Sequence, residues 1–94
     1  MSKFPIIASN SKWTSQEKCL IRSYKFDNKK TSEYFVFEIL KFLRETVSDI
    51  EFRKRGENIV FIIRALSPYV SEIELEAAKE IDDIYEDVKF YKRK

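Results

Sequence analysis

The side chains able to do chemistry in this 94-residue chain are its carboxylates, lysines and arginines, five tyrosines and one thiol, Cys19; there is no histidine. Without an imidazole there is no Ser-His-Asp or Cys-His arrangement, no zinc finger, no HExxH helix, and no side chain whose ordinary pKa lies near neutrality. General acid or base work would fall to a carboxylate, lysine or tyrosine whose pKa has been displaced. Cys19 lies in an alternating stretch beside Ile21, the setting of a packed, inert thiol, and a single cysteine cannot close an internal disulfide.

Charge is segregated along the chain. Residues 1–64 carry 13 basic and 8 acidic groups, residues 65–88 carry 1 and 8, and residues 89–94 carry four basic groups and no acid. In the acidic stretch, spacings of four residues such as Glu72 with Glu76 and Asp82 with Glu86 could gather a divalent cation. No oxygen-rich loop of the kind a calcium site uses accompanies them, so a solvated helix face is expected, with no metal and no cofactor. The tail Lys89-Phe-Tyr-Lys-Arg-Lys94 combines cations with two aromatic rings, a composition able to contact phosphates and stack on bases. Because the acidic helix interrupts the basic excess, nucleic acid is a secondary reading, and the tail is expected to be a solubilising flank or a neutraliser of that helix.

The elements that must position these groups belong to one domain, residues 1–94, with 1–12 and 89–94 as flexible flanks. No stretch approaches the roughly 20 apolar residues of a membrane span, and the N-terminus lacks a signal-peptide pattern, so a cytoplasmic protein is expected. Alternation from Cys19 to Phe26 predicts a strand with Leu20, Arg22, Tyr24 and Phe26 on one side, preceded by a short strand at Trp13–Ser15. Asp27 and Asn28 are good N-cap types for a helix over about Lys30–Glu45, with Phe35, Ile39, Phe42 and Leu43 at helical spacing. On that helix Tyr34, Phe37 and Leu40 widen the apolar surface beyond one stripe, as a subunit contact would.

Asp49–Arg53 and Ile59–Arg64 predict a hairpin around Gly56, the chain's one glycine, and the run Ile59–Ile63 is apolar on both faces, as in an interior strand. Ser71 and Glu74 form a capping box with Val70 and Leu75 at the staple positions, opening a helix from Glu72 to about Tyr85. The resulting order β-β-α-β-β-α predicts an α+β fold, a four-stranded antiparallel sheet with helices on one face.

These residues together resemble the pterin-4a-carbinolamine dehydratase family over about residues 13–85. The strand Leu20, Arg22, Tyr24, Phe26 is similar to the family's L-x-R-x-[FY]-x-F. Phe35 and Ile39, then Asp49-Ile50-Glu51, then the apolar run Ile59–Ile63 follow in the family's order. Val70-Ser-Glu-Ile-Glu-Leu-Glu-Ala-Ala-Lys-Glu-Ile-Asp82 is similar to its L-[ST]-x-x-D-x-x-[LI]-A-x-x-I-[DE]. The resemblance implies homodimers or tetramers, a pterin ligand, and a site built from a His-His-Pro tripeptide before the third strand and a further histidine ending the fourth. Removing a 4a-hydroxyl requires protonating it while the N5 proton leaves, and imidazoles suit both tasks.

Here the tripeptide falls near Thr46, Val47 and Ser48, and the last histidine on Ala65. The link into the third strand is shorter than the family's, the hairpin slightly longer, and the turn after the fourth strand, Leu66-Ser67-Pro68-Tyr69, lacks its glycine. The family's N-terminal helix is missing or much reduced. The resemblance therefore implies a degenerate active site, with Ser48, Asp49, Glu51 and Arg64 as a remnant pocket. Three functional expectations follow: a homo-oligomeric binding or assembly module with an interface at Tyr34, Phe37 and Leu40; a dehydratase retained on non-histidine groups such as Thr46, Ser48, Asp49 and Glu51; or nucleic-acid association through the tail.

Overall fold

The computed structural model describes residues 13–16 and 18–92. They form β1 (Thr14–Gln16), β2 (Cys19–Lys25), α1 (Lys29–Leu43), β3 (Asp49–Arg55), β4 (Asn58–Arg64) and α2 (Glu72–Lys92). The strands make one antiparallel sheet in the order β1-β2-β4-β3, so β4 is interior, as its two apolar faces require. The α+β architecture expected from the sequence is the one observed.

Register decides which side chains meet. Leu20, Arg22 and Tyr24 on β2 stand opposite Ile63, Phe61 and Ile59 on β4, and Ile50 and Phe52 on β3 stand opposite Ile63 and Phe61. Because side chains alternate, all of these share the face that carries the helices. Leu20, Tyr24, Ile59, Phe61 and Ile63 are fully buried there with Phe35 and Ile39 of α1 and Ala78 and Ile81 of α2. Tyr24 is the centre of an aromatic cluster, its ring 5.3 Å from Phe35, 5.5 Å from Phe61 and 4.6 Å from Tyr85, centroid to centroid. Burial of one such ring contributes about 2–3 kcal/mol.

Local chemistry sets the helix starts. Asn28, in extended conformation, caps α1 by accepting from the Thr31 amide (2.8 Å) and hydroxyl (2.9 Å). Glu74 folds back at the start of α2 and accepts from the Ser71 amide (2.7 Å) and hydroxyl (2.8 Å), the capping box in one of its two directions.

Several boundaries differ from expectation: β2 ends at Lys25 rather than Phe26, and α1 ends at Leu43 rather than about Glu45. The first strand begins at Thr14, with Trp13 buried just ahead of it. The β3–β4 connection is tighter than Lys54–Asn58, because Lys54 pairs with Ile59 and Arg55 with Asn58, leaving Gly56 (φ +59°) and Glu57 to turn the chain. Finally, α2 runs to Lys92 rather than Tyr85, so residues 89–92, read as part of a flexible flank, are helical. Residues 1–12, the other expected flank, lie outside the described residues.

Candidate functional site

The positions that the resemblance assigns to histidines sit at one end of the sheet, where α1 leaves for β3 and β4 leaves for α2. Thr46 closes α1's last turn, its amide donating to the Phe42 carbonyl (3.2 Å), and its hydroxyl accepts from the Ser48 amide (3.2 Å). Beside them lies an open groove of about 330 Å³, lined by Phe42, Glu45, Thr46, Val47 and Ser48 on one side and Ile73, Glu76, Ala77 and Glu80 of α2 on the other. Val47 is 76% exposed at its rim. Ala65 is half-buried against the core, its amide donating to the Lys18 carbonyl (2.7 Å), and does not line the groove.

The expected remnant pocket is divided by the sheet. Ser48 lines the groove, but Asp49, Glu51 and Arg64 stand on the face away from the helices, because Asp49 pairs with Arg64 and Glu51 with Ile62, out of phase with the buried Phe61 and Ile63. There Arg64 donates to Glu51 (2.7 Å) and lies 3.9 Å from Asp49, while Arg53 donates to Glu51 (3.1 Å). The hydrogen bonds from Arg64 and then Arg53 hold the Glu51 carboxyl below its usual range, and the same Glu51 bond raises the Arg64 guanidinium. This is an exposed ion-pair ladder, and period-two alternation in Asp49-Ile-Glu51 was the signal that it would face away from the core.

Two acids of the supposedly solvated helix face are structural. Glu74 is fully buried; burial pushes its carboxyl up, and hydrogen bonds from Ser71 and from the Leu66 amide (3.0 Å) more than offset this, leaving it below the usual range. Asp82 turns toward the sheet, where one oxygen accepts from Trp13 Nε1 (3.0 Å), Arg22 Nη1 (2.7 Å) and the Tyr24 hydroxyl. The Arg22 guanidinium lies 4.1 Å from the Tyr24 ring centroid. Burial, and then the bond to Asp82, push the Tyr24 phenol far above its usual range. The cue available in the sequence was Arg22 itself: a cation in phase with Leu20 and Tyr24 requires a buried anion.

The interface candidates lie together on the outer face of α1: Tyr34 is partly exposed, Phe37 is 58% and Leu40 49% exposed, and Lys41 Nζ sits 5.3 Å from the Phe37 ring centroid. Among the described residues no group of histidine, cysteine or carboxylate side chains could hold a metal ion, and no helix is long and apolar enough to cross a membrane.

Comparison with known proteins adds a likeness of fold. No family model matches the chain, and no curated protein matches it. Among solved structures it is similar to the crystal structure of a transcriptional coactivator/pterin dehydratase from Brucella melitensis, with a TM-score of 0.76 over 90% of this chain and 97% of that one, at 14% identity. The fold is thus that of the pterin dehydratases; at this identity the likeness extends to the fold alone.

Proposed function

We propose that the chain is a catalytically degenerate relative of the pterin-4a-carbinolamine dehydratases that acts in the cytoplasm as a homo-oligomeric binding or assembly module. What supports this reading is a fold like that of a pterin dehydratase in a chain with no histidine, where the resemblance puts the family's histidines near Thr46, Val47 and Ala65. Dehydration needs a proton donor at neutral pH, a role for which a carboxylate needs deep burial. The carboxylates nearest Thr46 and Val47, those of Glu45, Glu76 and Glu80, are exposed, and Asp49 and Glu51 are on the far side of the sheet. Tyr34, Phe37 and Leu40 supply the apolar surface for assembly.

Purified protein incubated with a 4a-carbinolamine should dehydrate it at the spontaneous rate. A protein-dependent rate that Ser48→Ala or Thr46→Ala lowers would instead favour a dehydratase retained on hydroxyl and carboxylate groups. Light scattering should give a mass of at least two chains, and a monomer at all concentrations would remove the assembly role.

A further inference from the structure

The groove at Thr46–Ser48 combines two properties that its chemistry leaves unanswered. Its lining combines apolar side chains, Phe42, Val47, Ile73 and Ala77, with three carboxylates, Glu45, Glu76 and Glu80. Among the described residues none of these three carboxylates is in an ion pair, whereas Glu38, Glu51, Asp82 and Asp83 all are. A complementary occupant is a segment that brings several cations together with apolar side chains. The chain itself ends in one: Lys89–Lys94 has four cations, a phenylalanine and a tyrosine within six residues.

That segment cannot reach its own groove. Ala77 and Lys92 belong to the same continuous helix, and 15 residues at 1.5 Å each separate them by about 22 Å. Two further residues extend at most about 7 Å. The match is therefore between copies. If two α2 helices cross antiparallel about a two-fold axis, the basic end of each lies over the acidic first turns of the other, and both contacts form at once. Lys79, paired with Asp83 at 3.4 Å, keeps the middle of that exposed face from being wholly acidic.

We infer that the groove between the Thr46–Ser48 link and α2 receives the basic C-terminal segment, residues 89–94, of a second copy of this chain. The contact adds to the α1 interface proposed above and does not depend on it. Being an attraction between exposed charges, it weakens as salt rises and the screening length falls below about 8 Å.

Charge exchange tests it. One variant carries Glu76→Lys with Glu80→Lys, the other Lys92→Glu, Arg93→Glu and Lys94→Glu; circular dichroism checks that both fold. In low salt, sedimentation should show each variant alone losing about tenfold or more in self-association. An equimolar mixture should regain the native mass, because each groove then faces a tail of opposite sign. Repeating the series in a Phe37→Glu background separates the two contacts: the pattern persists there whether or not α1 also pairs. The inference is overturned if neither variant changes the mass, if only the tail variant does, or if mixing restores nothing. It is equally overturned if the tail substitutions abolish retention on RNA or DNA while self-association is untouched, which would give the tail to nucleic acid.

Discussion

Asp82 is the residue on which the helical layer is tied to the sheet. It joins Trp13, Arg22 and Tyr24 through one carboxylate oxygen, with the Arg22 side chain 14% and the Asp82 side chain 30% exposed. Removing one partner of a fully buried pair costs about 3–5 kcal/mol, and the solvent reaching Asp82 reduces this to about 2–3 kcal/mol for Asp82→Ala, measurable by urea denaturation. Tyr24 sets a limit at high pH. Its phenol is raised in the folded chain, so its contribution is complete below about pH 10, where the unfolded chain also keeps the proton, and is lost as pH climbs above that. Stability measured from pH 9 to 11.5 should fall more steeply in the native chain than in Tyr24→Phe. Glu74 works in the opposite direction. Its folded pKa is lowered from 4.5, so its contribution is present above that value and disappears as pH drops through the folded pKa. Glu74→Gln should cost about 1–2 kcal/mol at pH 7 and flatten the acid limb of the stability curve.

The elements follow from short-range physics, which is why their types and order were legible in advance. Strand alternation in Cys19–Lys25, the Asn28 cap and the Ser71/Glu74 box are contained in windows of a few residues. The ends were less so. Nothing between Tyr85 and Lys92 is a glycine or proline, and Ile81, Ile84, Tyr85 and Val88 continue at helical spacing, yet the basic tail composition suggested a flank. The two-residue turn at Gly56 depended on how far β3 could pair, a tertiary outcome. At that turn a Cβ would meet nothing within 4 Å, so Gly56→Ala should cost only the positive-φ penalty, about 1 kcal/mol, with the register unchanged by amide exchange. Phe35→Ala, inside the aromatic cluster, should cost about 3–5 kcal/mol.

At the scale of the whole molecule, the proposed assembly role rests on the surfaces left over after the core is filled. Phe37→Glu, at an exposed position of α1, should leave thermal stability within about 0.5 kcal/mol of native while lowering the mass seen by light scattering. What the sequence alone determined was the set of available chemistries and the elements. No histidine means no imidazole catalysis, and hydrophobic periodicity means two helices on one face of four strands. What only the tertiary structure decided was which charges face which way. Asp82 turns inward to meet Arg22, and Glu45 joins Glu76 and Glu80 around one groove. The physical reason is separation. Arg22 and Asp82 lie 60 residues apart, and the pairing of distant charges is set by how the elements pack, which no local pattern records.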